Sequence, residues 1–426
     1  MDRLRTLGAL VGGSLIISII YGVTVGNNEP PIDFDIDDSE GVHLVVTGDK
    51  GTFSLRRDEL RMEAQWRGEY VLNDTADDIK SLDHKLAITR EKNGVTEKAI
   101  YERNGDDVER RYFIDEEEQE KDVETDSAMR QLLTGFLGAS GVRAEERVAA
   151  LLQEGGVSAV LDKYDALYGD HARERYSAEL IKQADLTPAE LRSLLEALSV
   201  IESDTTLRTI LGDILSKETV RTEDIPYFLK AASNIDSDYD MRRLIETVSE
   251  HPMNGDAIAL SLGLFETIDS EHDLRLAGEA LLKQPDLDAD NITKLLLIIR
   301  DQMDSAHDMR LLLVEAAPFM ARDNEVAKAW FSAFAEIDSD HDKRLALSDA
   351  SEINDLPPNL VRTLIDSTNE IDSDHDRRLA LENFAGQARS TPILLEAYKA
   401  AAEGIDSDYD RQRALESVGI EAEDTD

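Results

Sequence analysis

Carboxylates occupy alternate positions at Asp236, Asp238 and Asp240, and this arrangement returns down the second half of the chain, with His171, His272, His307, His341 and His375 at one position of the recurring pattern. Alternate Asp residues open the calcium loop of an EF-hand, and imidazoles in series suggest a metal ladder. Neither reading fits the surrounding residues. A calcium loop needs Gly at its sixth position and a bidentate Glu at its twelfth; counted from Asp236 these are Met241 and Thr247. Packed helices lie about 8–10 Å apart, too far for neighbouring imidazoles to share an ion at ligand distances of about 2 Å. Tyr239 and Tyr409 replace His at that position, which points to an amphipathic packing site near a helix start.

Other chemistry is equally short of support. The chain has no Cys, which removes disulfides, thiolate nucleophiles and Cys-ligated zinc. It contains no H-E-x-x-H, G-x-S-x-G or phosphate-loop pattern,. With 90 Asp plus Glu, paired carboxylates say nothing about acid–base catalysis. The residues therefore point away from an enzyme and imply no catalytic residue, cofactor or metal.

The elements that carry these residues form a repeat. The unit I-D-S-D-[YH]-D-x-R starts at Leu167, Ile201, Ile235, Ile268, Met303, Ile337, Ile371 and Ile405, a period of about 34 residues. Such a period marks stacked supersecondary units that cannot bury their apolar faces alone. Within six units a Ser stands three residues before an Asp: Ser237 and Asp240, Ser270 and Asp273, Ser305 and Asp308, Ser339 and Asp342, Ser373 and Asp376, Ser407 and Asp410. This resembles a capping box, with Asp as a shorter substitute for the usual Glu or Gln at N3. Arg208, Arg242, Arg275, Arg310, Arg344 and Arg378 stand seven positions after the first apolar residue, five of them four residues after an acid. That spacing predicts i, i+4 ion pairs, and repetition lets the same Arg bridge to the next unit.

A second helix lies between successive signatures. Thr187-Pro188-Ala189-Glu190 opens one, with Thr as N-cap, Pro at N1 and Glu at N3,. Two helices per period match a TPR unit in size, but the TPR landmark residues are missing,. The expected fold is mainly α, an α-solenoid of about eight helix pairs over 127–420, closing on an acidic tail at 421–426.

Before the repeats the periodicity changes to that of strands. His43–Thr47, Leu86–Thr89, Thr96–Tyr101 and Arg110–Ile114 are rich in β-branched and aromatic residues, with Asn93-Gly94 and Asn104-Gly105 placed as hairpin turns,. An antiparallel β domain over 42–126 is expected. Upstream, residues 6–28 carry no charge and are long enough for one membrane-spanning helix,. Arg3 and Arg5 precede this segment and no Lys or Arg follows until Lys50, which puts residues 1–5 in the cytoplasm and the bulk outside. Residues 29–41 read as a linker, and a cleaved signal peptide is the alternative to a retained anchor. The net charge of −44 argues against nucleic acid and anionic lipid headgroups as partners.

The sequence I-D-S-D-Y-D-M-R-R-L at Ile235, with R-A-E-E-R-V-A-A-L-L-Q-E-G-G-V from Arg143 and R-R-Y-F-I-D from Arg110, resembles a group of bacterial membrane-anchored proteins with I-S-S-D-Y-E-[KR] helical repeats. In some of its members the array is joined to a metallopeptidase of the antibiotic-sensor type. The resemblance implies the architecture and assigns no activity, and the peptidase motif is not in this chain. The combined expectation is a single-pass protein of a bacterial inner membrane with its bulk in the periplasm, or secreted after cleavage. It would act as a non-enzymatic scaffold or sensor, contacting a protein or peptide through the concave face of the solenoid. The alternative is a regulatory subunit of an envelope enzyme such as a separate peptidase, with the β domain as its working part.

Overall fold

The computed structural model describes residues 16–21 (backbone), 41–285 and 287–420, in two compact units, Met1–Ser216 and Lys217–Asp426. The chain is mainly helical, with a sheet towards its N-terminal side. The expected 1–5, 29–40 and 421–426 segments, and Gly8 and Gly12 of a G-x-x-x-G, lie outside the described residues. So does most of the expected anchor at 6–28. Its central residues, Ile16–Tyr21, form a strand rather than a helix. Among the described residues no helix is long and apolar enough to cross a membrane.

In the first unit the strands are β1 Ile16–Tyr21, β2 Gly41–Thr47, β3 Lys50–Arg57, β4 Leu60–Arg67, β5 Tyr70–Leu72, β6 Ile79–Leu82, β7 Lys85–Lys92, β8 Val95–Asn104, β9 Asp107–Ile114 and β10 Glu117–Glu118. The main sheet runs β1-β2-β3-β4-β7-β8-β9-β10; β1 pairs in parallel with β2, and the others are antiparallel. The small hairpin β5-β6 forms separately. Both Asn93 and Gly94 have positive φ, the geometry that lets a two-residue turn follow the sheet's twist. The next turn is one residue later than the Asn-Gly pair suggests: Asn104 pairs with Asp107, leaving Gly105 and Asp106 as the turn. Strands β3 and β4 join the first and second expected strands into one meander.

One face of this sheet is buried beneath α1, Val123–Ser140. Phe136 stands edge-on to Phe53 at 5.5 Å and tilted to Trp66 at 5.8 Å, and Tyr101 Oη donates to the Met129 carbonyl at 3.2 Å. Gly51 has a packing reason, because a Cβ there would overlap the Trp66 indole. The first helix therefore completes the sheet domain. Helices α2 Ala144–Leu161, α3 Asp170–Gln183, α4 Pro188–Ala197 and α5 Asp204–Leu215 follow, with α2 broken at Gly155 and Gly156 before helical turns resume. The compact unit thus includes two signature helices, α3 and α5, and ends at Ser216.

The second unit continues with α6 Ile225–Ala232, α7 Asp238–Ser249, α8 Gly255–Phe265, α9 Glu271–Leu282, α10 Ala289–Gln302, α11 Ala306–Ala316, α12 Asn324–Ala335, α13 Asp340–Ser351, α14 Pro358–Ser367, α15 Asp374–Asn383, α16 Ala385–Ala388, α17 Pro392–Glu403 and α18 Asp408–Ser417. Signature helices α7, α9, α11, α13, α15 and α18 pack in succession, as do the intervening α6, α8, α10 and α12. The opening apolar residues Ile235, Ile268, Met303, Ile337, Ile371 and Ile405 are all buried. Each helix shows one apolar stripe, so burial is complete only when neighbouring units cover it.

Candidate interaction surface

The start of each signature helix is made by one Ser. The Oγ atoms of Ser237, Ser270, Ser305, Ser339, Ser373 and Ser407 accept from the backbone N–H of Asp240, Asp273, Asp308, Asp342, Asp376 and Asp410 at 3.2–3.3 Å. These are long hydrogen bonds, so the cap is a modest one. A reciprocal box does form at Thr187, whose N–H donates to Glu190 Oε2 at 2.9 Å while Glu190 N–H donates back to Thr187 Oγ1. In the described repeats of the second unit that reciprocal bond is absent. The N3 Asp faces the preceding repeat instead.

There it meets the repeated Arg. Arg242 Nε donates to Asp273 at 2.5 Å, Arg275 to Asp308 at 2.7 Å, Arg310 to Asp342 at 2.9 Å, and Arg344 to Asp376 and Arg378 to Asp410 at 2.8 Å. The expected i, i+4 pairs run the other way along the helix: Arg242, Arg275 and Arg378 pair with Glu246, Glu279 and Glu382, the acids four residues later. Arg208 occupies the same position on α5. Burial opposes the charge on Arg275, but the bonds it donates to Asp308 and Glu279 raise its pKa. Burial likewise pushes the Asp308 carboxyl up, and the bonds from Arg275 and Ser305 bring it below the ordinary carboxylate value.

The acids that were expected to serve these arginines do something else. Asp238 takes the Asp269 and Ser270 amides at 3.2 and 2.8 Å, Asp340 those of Asp372 and Ser373, and Asp374 those of Asp406 and Ser407. Glu271 takes the Ser305 amide at 2.5 Å, and in the first unit Asp170 takes those of Glu202 and Ser203. Asp at N1 thus caps the loop of the following repeat. Sequence spacing cannot reveal this, because the donating amides lie about 32 residues away.

The ring position is exposed, which corrects the expected packing role. Tyr239 and Tyr409 are 55% and 70% accessible, and His272, His307, His341 and His375 are exposed. Arg275, Arg310, Arg344 and Arg378 direct Nη2 at the Nδ1 atoms of these four histidines, at 2.9–3.3 Å. A guanidinium only donates, so Nδ1 is the acceptor in each of these contacts. Arg242 stacks on Tyr239 with 5.0 Å to the ring centroid. The ring therefore orients the Arg from outside, and His and Tyr are interchangeable there because each offers electron density to a cation.

Once these contacts are made, each repeat of the second unit still presents one acid. Asp236, Asp269, Asp304, Asp338, Asp372 and Asp406 are exposed, and their carboxylates have no hydrogen bond or ion pair among the described residues. Beside the rings they form a second row. Among the described residues no group of acids and histidines could hold a metal. In the first unit a separate cavity of about 220 Å³ is lined by Leu44, Val46, Trp66, Tyr70, Arg143 and Arg175, among others. Comparison with family models, with characterised proteins and with solved structures yields no match.

His171, at the ring position of the first signature, differs from its counterparts in lying half-buried on α3. Burial, and then the charge of Arg175, push its pKa down to about 4. An unfolded chain takes up this proton near pH 6.5, while the folded state resists it, so stability falls as pH drops from about 6.5 towards 4. His171→Phe should remove about 1–2 kcal/mol of the loss between pH 7 and pH 5, read from urea unfolding followed at Trp66. An unchanged pH slope would contradict this assignment.

The arginine bridge has its own test. Arg275 and Asp308 side chains are only 11% and 16% exposed, so Arg275→Gln and Asp308→Asn should each destabilise the second unit by about 1–3 kcal/mol. In a double-mutant cycle the pair should couple by about 1 kcal/mol or more. Additive losses would show that the bridge carries no energy of its own.

Proposed function

We propose that the chain is a non-enzymatic scaffold or sensor that holds a basic, extended peptide or protein segment along the helical array of its second unit. The observation that carries this reading is the double row of one exposed carboxylate without a side-chain bond and one exposed ring per repeat. Carboxylates attract lysine and arginine, and the rings add cation–π contacts. Stacked helices advance about 8–10 Å per layer, and one three-residue turn of an extended polyproline II chain, which returns side chains to the same face, spans about 9 Å. A partner with a basic residue at every third position would therefore meet one acid per repeat.

A fluorescent peptide with Lys at every third position, titrated into the full chain by anisotropy, tests this. Its binding should weaken as salt screens the charges, and peptides with the same lysines in clustered order should bind less tightly. Changing the six row residues Asp236, Asp269, Asp304, Asp338, Asp372 and Asp406 to Asn should lower affinity at least about tenfold, or about 1.4 kcal/mol. Undiminished binding overturns the reading. If binding instead disappears in Arg175→Gln, the working surface is the first unit, as expected of a regulatory subunit acting through its sheet domain; the cavity beside Trp66, Arg143 and Arg175 is the feature that favours this second reading.

The proposed setting is the periplasmic side of a bacterial inner membrane, on a retained N-terminal anchor. It is supported by the uncharged segment 6–28 and by Arg3 and Arg5 before it,. A membrane helix over 6–28 and a strand at Ile16–Tyr21 exclude each other. Recovery of the chain in washed membranes with Met1 intact supports the anchor, whereas recovery in the soluble fraction with Met1 intact supports the strand.

A further inference from the structure

Along the second unit each repeat reaches the next through two kinds of bond on the signature edge. An Arg reaches the N3 Asp, and an N1 acid takes backbone amides of the following loop. The repeat that begins at Met303 lacks the second kind. Its N1 residue is Ala306, and a methyl group accepts no hydrogen bond. The Asp338 and Ser339 amides, which correspond to the latched Asp372 and Ser373 pair, have no acceptor among the described residues. Two later junctions gain a further bond from the residue before the bridging Arg: Lys343 reaches the Glu370 carbonyl and Arg377 the Gly404 carbonyl. The corresponding residue here is Met309. On this edge the junction is crossed by Arg310 and Asp342 at 2.9 Å.

The other layer adds little at this junction, because α12 and α14 do not pack along one another as α10 and α12 do. The contact of α10 with α12 joins the Met303 repeat to the preceding one, and within the Met303 repeat α12 is fixed on α11. Trp330 is fully buried, stacks on Phe334 at 5.5 Å and donates to the Leu313 carbonyl at 2.8 Å. The junction is thus crossed by the packing of α11 on α13 and by a single ion pair without its latch. We propose that the junction between the Met303 and Ile337 repeats is the joint of the second unit, where the two repeats hinge on the packing of α11 against α13. Opening would change the spacing between carboxylates on either side of the joint, which gives the array a way to adjust to a bound segment.

The chain contains its own control. Glu336-Ile337-Asp338-Ser339-Asp340 and Glu370-Ile371-Asp372-Ser373-Asp374 are the same five residues, so the unprotected exchange rates of the two amide pairs are matched. Residue-resolved hydrogen exchange on the full chain should show Asp338 and Ser339 exchanging at least about tenfold faster than Asp372 and Ser373, the factor expected from loss of one charge-assisted hydrogen bond. In Ala306→Asp the faster pair should slow to match the other, and in Ala306→Leu it should stay fast. Equal rates in the native chain would overturn the proposal, as would a difference that survives Ala306→Asp.

Discussion

The bond from the Arg of one repeat to the N3 Asp of the next governs the second unit, because it redirects each side chain around it. With its N3 Asp drawn backwards by this bond, a signature helix has no reciprocal partner for its own N-cap amide, and the N1 acid of the preceding repeat fills that place. The Arg in turn needs a second acceptor and an oriented guanidinium. A Glu one turn later provides the first in three repeats, and the exposed ring provides the second. Elements that look local in the sequence are thus shared across a boundary. Such sharing couples neighbouring repeats through polar groups as well as through the apolar stripe, and repeat arrays owe their stability to this nearest-neighbour coupling.

The first unit follows a different rule. A single sheet face needs a cover, and α1 provides it through Met129, Leu132, Leu133, Phe136 and Leu137. The helical part of the chain therefore begins as the lid of a sheet domain. Only after the break at Gly155 and Gly156 does the first signature helix follow. A change of secondary structure is visible in composition, whereas the partner of an apolar helix face is not.

Much of the architecture was legible because it repeats. The register of the eight signatures, the Ser caps and the box at Thr187 all follow from local spacing. Strands β3 and β4 were overlooked although the alternation is present in β4, where Met62, Ala64 and Trp66 are buried and Arg61, Glu63 and Gln65 exposed; charged side chains on the solvent face masked the apolar period. The bridge from each Arg to the next unit follows from its repetition, but the same-helix partners are acids four residues later rather than earlier. An acid four residues earlier is available to five of the six in sequence, and only the tertiary arrangement shows that the earlier acid reaches the next loop. The ring position was read as packing because His and Tyr exchange there, while the structure places both in solvent against a guanidinium.

For function, the residues that recur most strictly are those occupied in holding the array together. What they leave exposed is a row of acids and rings, a surface whose geometry depends on the bridges beneath it. The most direct test of that dependence is whether a bridge stabilises helices beyond its own. In a Trp66→Phe background, Trp330 alone reports on the second unit, and Arg242→Gln breaks a bridge between α7 and α9, away from the helix that carries Trp330. The urea midpoint seen by Trp330 should fall together with that of the far-ultraviolet helical signal. A Trp330 midpoint that stays in place while part of the helical signal melts early would show that the repeats fold independently, and would contradict the account.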